Sequence, residues 1–147
     1  MRTSLILSAL VALVVCWCVL PAPAAAQTPG TRAFQVAGTE AEHVSAFLRT
    51  LQTSVAVDNR YKVATLLTYP IEVWADGEHL VLRNQSDLIA RYSRVFTPAL
   101  KKAIAEARIE TLTVDDQGVH IDAGRLCCKP QAGRPDAIRI VAINRPQ

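Results

Sequence analysis

The chain has 147 residues, half of them hydrophobic and a fifth charged, with four cysteines and a formal charge of +3. That length fits one domain and excludes a multidomain enzyme. An aromatic share of 5% with no block of like charge excludes a base-stacking platform or a basic arm for nucleic acid, and the apolar half excludes a disordered chain.

The hydrophobic residues are unevenly spread, and residues 1–26 alone hold 20 of them. Arg2 gives a positive start, Leu5 to Leu20 an apolar run, and Ala24-Ala25-Ala26 a small-residue cleavage pattern before Gln27. The sequence therefore predicts a signal peptide over 1–26 and a secreted or periplasmic product, with an uncleaved N-terminal anchor as the alternative. The run of 16 falls short of the ~20 residues of a membrane span, and Pro21 and Pro23 break it, so no stable membrane insertion is expected after cleavage. Cys16 and Cys18 follow Val15 and Trp17, where a lipid-attachment signal needs a small residue. Without this segment 121 residues remain, with 15 basic and 13 acidic side chains, a balance too small to imply an electrostatic partner. A chain of that length buries roughly two-thirds of its unfolded surface, enough for a core without disulfide staples.

Residues 27–38 are polar with Pro29, Gly30 and Gly38, and read as a flexible lead-in to a single domain over 39–147. Thr39 and Glu42 have the spacing of a capping box. Val44, Phe47, Leu48, Leu51 and Val55 then recur at three and four, one apolar stripe of a helix. A short second helix is expected after Asp58 or Asn59, with Val63, Ala64, Leu66 and Leu67 inward, ending before Tyr69-Pro70. From Ile71 the period becomes two. Ile71 to Trp74 and His79 to Arg83 flank Asp76-Gly77, a hairpin signal. Ser86 is a candidate cap for a third helix carrying Leu88, Ile89, Tyr92, Val95 and Phe96, and Thr97-Pro98 restarts a helix through Leu100, Ala103, Ile104 and Ala107. The last third predicts a three-strand meander: Arg108 to Val114, Val119 to Cys128 and Ala137 to Asn144. In its last strand strict alternation places Ile138, Ile140 and Ala142 on one face, with Val141 and Ile143 on the other. Helices grouped ahead of antiparallel strands imply an α+β fold, N-terminal helices packed on a curved, mainly antiparallel sheet.

The order helix, helix, hairpin, helix, meander, with Asp58-Asn59-Arg60, Tyr69-Pro70-Ile71, Gln117-Gly118-Val119 and the closing Ile140 to Asn144, resembles the cystatin-like cone. More narrowly it is similar to small secreted proteins of the nuclear-transport-factor-two-like (SnoaL-like) superfamily, over about residues 40–145. The resemblance implies a conical cavity between the concave sheet and the helices, and an opposite sheet face used for homodimers. It implies no particular activity, because that superfamily includes isomerases, dehydratases, cyclases and transport adaptors.

Four residues are candidates for lining such a cavity, each with a plainer structural role beside it. Asp58 could reach the cavity mouth or simply cap a helix; Tyr69 and Trp74 flank the first strand as cavity wall or core; Tyr92 could turn its hydroxyl inward or only pack. His120 and Asp122, two apart on a strand, share one face and form the best imidazole–carboxylate pair, though a solvent-facing polar pair is the preferred reading of them. Cys127 and Cys128 are adjacent, leaving open two thiols, an intermolecular bridge or a strained vicinal disulfide. No catalytic residue set, metal site or cofactor motif is present in the sequence: the phosphate loop, nucleophile elbow and zinc spacings are all missing. The sequence thus leads to an exported, non-catalytic module for a small apolar ligand or protein partner, with no nucleic-acid partner. The alternative is a small isomerase- or dehydratase-like enzyme working in the cone.

Overall fold

The computed structural model describes residues 30–144; residues 1–26, read from the sequence as a signal peptide, lie outside them. The stretch read as a lead-in contains a helix, α1 (Thr31–Val36), because Phe34 gains full burial there, at 1% exposure. Four further helices follow among the described residues: α2 (Ala41–Ala56), α3 (Arg60–Ala64), α4 (Gln85–Val95) and α5 (Pro98–Glu106). The strands are β1 (Leu67–Ala75), β2 (Glu78–Leu82), β3 (Thr113–Asp115), β4 (Gly118–Ile121), β5 (Leu126–Gln131) and β6 (Arg134–Ile143). They make one curved, unclosed sheet in the order β2-β1-β6-β5-β4-β3, antiparallel throughout except for the parallel pair β1 and β6. The fold is α+β.

Local chemistry sets the helix ends. The expected Thr39 capping box does not form: Glu40 is the N-cap of α2, and the buried Thr39 hydroxyl instead donates to Pro135 O at 2.8 Å, tying the helix entry to β6. Asn59 caps α3 by accepting from Lys62 N at 3.0 Å. Asn84, not Ser86, caps α4 by accepting from Asp87 N at 3.0 Å, while the Asp87 carboxylate accepts from Arg83 N at 2.8 Å. Thr97 caps α5, with Pro98 in the first turn where its missing N–H costs nothing.

The hairpin turn is Asp76-Gly77 as expected, both residues at positive φ (54° and 76°), which a two-residue turn of the matching twist requires. Leu66 and Leu67 are buried but lie beyond α3, Leu67 opening β1. The meander has four strands rather than three. Arg108 to Leu112 forms a single 3-10 turn and its flanks, and the expected strand from Val119 to Cys128 breaks at Asp122 and Ala123, both at positive φ, into β4 and β5.

Register separates the two sheet faces. Leu80, Val73, Ile143, Leu126 and Ile121 form one row across five strands and face the helices. Val81, Glu72, Ala142, Cys127, His120 and Thr113 form the next row, on the opposite face. Cys127 pairs with Ala142 but Cys128 with Ile140, so Val141 is an extra residue, a β-bulge that reverses the alternation. Ile143 therefore joins Ile138 and Ile140 in the core while Ala142 turns outward, correcting the assignment made by simple alternation.

The core lies between the concave face and α2, α4 and α5. Leu51, Val63, Ala64, Val73, Leu82, Leu88, Val95, Leu100, Ile104, Leu126, Ile140 and Ile143 all have 0% accessible surface. A side chain that exposes nothing to a water-sized probe lines no void that water could enter, so this part of the interior is filled.

Candidate functional site

Two of the four candidate residues come together at one end of the helical layer. α4 carries Tyr92 on its buried stripe with Leu88 and Val95, and the ring stacks on Phe96 with centroids 4.9 Å apart and planes 13° from parallel. The Arg60 guanidinium carbon sits 5.4 Å from the ring centroid and Lys101 Nζ 5.3 Å, one from the start of α3 and one from α5. Both lie within cation–π range. Lys101 Nζ donates to Asp58 Oδ1 at 2.5 Å, and Asp58 is at positive φ (51°) in the tight passage from α2 to α3, where a short acidic side chain is tolerated.

Tyr92 is 1% exposed, and among the described residues its hydroxyl has no hydrogen-bond partner. Burial is the main cause of its raised pKa; the Asp58 charge adds to the rise and Arg60 opposes it. The phenol therefore keeps its proton and acts as a donor. A buried hydroxyl left unpaired costs about 1–3 kcal/mol, which makes it an exception among buried polar groups. Beside this cluster a groove of about 330 Å³ runs between α2 and α5, lined by Gln52, Val55, Ala56, Asp58, Lys101, Lys102 and Ala105. Its floor is apolar and one end is cationic, and Asp58 and Lys101 belong to both cluster and groove.

Tyr69 and Trp74 are not part of this end. Tyr69 is half-buried, its hydroxyl donates to Ala64 O at 3.0 Å, and burial, with the Asp87 charge, pushes its pKa up to about 12. Its bond fastens the strand start to the end of α3. Trp74 lies on the outward face of β1, against the His79 ring at a centroid distance of 4.6 Å. It borders a shallow depression of about 310 Å³ with Pro70, Glu72, Val81, Val141 and Ala142.

His120 does not pair with Asp122. β4 ends at Ile121, so Asp122 lies in the turn and accepts from Arg125 at 3.1 Å, while His120 Nε2 meets Asp115 Oδ1 at 3.0 Å across the β3–β4 turn. Cys127 and Cys128 both carry thiols, which excludes a vicinal disulfide in this structure. Sequence reading missed Arg60 and Lys101. Helical spacing shows which face of α5 is apolar but not which of its lysines lies against α4. Among the described residues no group of three or more His, Cys, Asp or Glu side chains could hold a metal ion, and no helix is long and apolar enough to cross a membrane.

Comparison with family models, curated proteins and solved structures gives no match. The functional reading therefore rests on the geometry of these sites.

Proposed function

We propose that the protein is an exported, non-catalytic binding module of the cystatin-like cone class that takes a small, largely apolar ligand with an anionic head group in the α2–α5 groove. The observation that carries this is the buried Tyr92 hydroxyl, a proton donor without a partner, beside Arg60 and Lys101. A carboxylate or similar anion displacing Asp58 from Lys101 would gain that donor and two cations, and its apolar body would cover Val55, Ala56 and Ala105. The 0% accessibility of the central core residues favours this rim site over a ligand held deep inside the cone. The nuclear-transport-factor-two-like reading is supported by the layering of helices on one face of a curved sheet.

Binding is favoured over turnover because the only carboxylate near Tyr92 among the described groups, Asp58, is exposed and bonded to a lysine, a poor setting for a general base. The enzyme reading keeps one specific support: a proton-donating tyrosine and a carboxylate do share this end of the fold.

The test is a thermal-shift screen of alkyl and aryl carboxylic acids, with the matching alcohols and amides as neutral controls, on the protein and its Lys101→Met variant. Acids alone should raise Tm, and Lys101→Met should abolish the effect. No response to any acid, or an undiminished response in the variant, refutes the reading. Mass spectrometry of the bound compound decides turnover, since a chemically changed ligand would establish the enzyme instead. For a protein partner, the outward depression at Trp74, Val81 and Ala142 is the apolar surface to test, with self-association through it read as a concentration-dependent mass that Trp74→Asp abolishes.

A further inference from the structure

Side chains bridge the two helices across both ends of the α2–α5 groove. At one end Gln52, on α2, donates through Nε2 to Ile104 O at 3.0 Å and Ala107 O at 2.9 Å, with Ala105 O further off at 3.4 Å. These carbonyls stand where α5 runs out of amide donors of its own. The amide nitrogen carries two protons, so both are committed inside the protein. At the other end Lys101, on α5, reaches Asp58, just beyond α2. Gln52 thus meets the finish of α5 and Asp58 its start, and the two helices run antiparallel along the groove.

The two bridges differ in how readily they open. Asp58 and Lys101 form an ion pair in contact with solvent, their side chains 56% and 30% exposed, and such pairs are weakly held. The Gln52 bonds to Ile104 and Ala107 are partly buried, so breaking them strands helix-end carbonyls away from water. The donor still uncommitted is at the Asp58 end: the Tyr92 hydroxyl has no hydrogen-bond partner among the described residues, and Arg60 and Lys101 lie over its ring. At the Gln52 end Lys102 is taken up by Glu106, 3.8 Å away along α5. Between the bridges lie Val55, Ala56 and Ala105. Gln52 to Ala56 and Lys101 to Ala105 are each four residues of helix, about 6 Å along the axis.

We infer that Gln52 is the end stop of the groove, a specificity-determining residue that restricts the ligand to carboxylates with a short apolar body. The inference rests on the carboxylate-binding reading of this groove. At about 1.5 Å per bond, a floor of about 6 Å takes an extended chain of roughly four to six carbons. With the head group on Lys101 and the Tyr92 hydroxyl, the body lies along Val55 and Ala56 and its last carbon meets the Gln52 amide. A longer chain either breaks the Gln52 bridge or leaves its tail in water, and neither adds affinity.

The test is isothermal titration of straight-chain alkanoates, from butanoate to dodecanoate, into the full chain and into its Gln52→Ala and Ala105→Leu variants. On an unbounded apolar surface each added methylene raises affinity about threefold to fourfold, so decanoate would bind roughly a hundredfold tighter than hexanoate. With an end stop the rise should level off near hexanoate, and decanoate should gain no more than about threefold. Gln52→Ala should restore the rise, to at least about tenfold between the same two acids. Ala105 is exposed, so Ala105→Leu keeps the fold while crowding the floor, and its plateau should come roughly one or two carbons earlier. It decides the matter if Gln52→Ala does not fold. An unbroken rise through decanoate in the unmodified chain, or an unshifted plateau in either folded variant, overturns the end stop and leaves the carboxylate reading standing. Failure of every alkanoate to bind removes both.

Discussion

Replacing Tyr92 with phenylalanine should make the protein more stable. The ring is 1% exposed and its hydroxyl has no partner, so the folded state carries a desolvation cost that the unfolded chain does not. Phenylalanine keeps the stack on Phe96 and the two cations over the ring face, so little else of size is lost. Taking the low end of the 1–3 kcal/mol penalty, the gain is about 1 kcal/mol, or roughly 4–6 °C in Tm for a domain of this size. Urea and thermal unfolding followed by circular dichroism measure it, with an unchanged m-value as the check that only the native state moved. Tyr69→Phe is the matched control and should move the other way. It deletes a bond to Ala64 O and leaves that carbonyl short of a donor, costing about 1 kcal/mol. A loss of about 1 kcal/mol or more in Tyr92→Phe would mean that the hydroxyl makes a bond in solution worth more than its burial costs, and the argument for a waiting ligand donor would fail. A gain in stability with loss of the acid response would be the stability–function exchange expected of a binding group.

Gly118→Ala should cost about 2 kcal/mol or more by chemical denaturation, because φ is +132° there and a Cβ would stand 2.4 Å from Cys128 O, so backbone has to move. A change within experimental error would show that β4 and β5 can separate freely at that point. Asn84→Ala removes the side-chain cap of α4 and should lower stability by about 1 kcal/mol, whereas Ser86→Ala, which removes no cap, should be nearly silent. Equal effects of the two would reject the assigned helix start. The Asp115 carboxyl is held below its ordinary 3.8, chiefly by His120, so its stabilising contribution is present above that value and disappears as the pH falls through the folded pKa. Asp115→Asn should therefore lose less stability than the unmodified protein as the pH is lowered through that window, and identical acid profiles would count against the pair.

Much of the helical layer was legible in the residues. The stripe Val44, Leu48, Leu51, Val55 and the pair Thr97-Pro98 act within one or two turns, so their consequences are local and survive into the folded chain. The Asp76-Gly77 hairpin is equally local, since the turn chemistry fixes both twist and register. Alternation failed in β6 because one bulged residue, Val141, reverses every side chain after it, and nothing in the period of the strand marks a bulge. His120 was assigned to the wrong carboxylate for a related reason. Asp122 is nearer in sequence and has the right spacing, but only if the strand continues, and the chain turns at Asp122 itself.

The candidate site divides along the same line. Tyr92 and Asp58 stood out as an aromatic on an apolar stripe and an acid at a helix junction, properties of their own neighbourhoods. The sequence by itself determined an α+β chain, the positions of α2 to α5 and of the first hairpin, and the two adjacent cysteines. Tertiary structure alone decided that β1 runs parallel beside β6, that Arg60 and Lys101 meet over one tyrosine ring, and that its hydroxyl is buried without a partner. It also set Cys127 opposite His120 in register and Cys128 in the core. Each depends on contacts between segments far apart in the chain, where no residue's period or propensity carries information about its eventual neighbour.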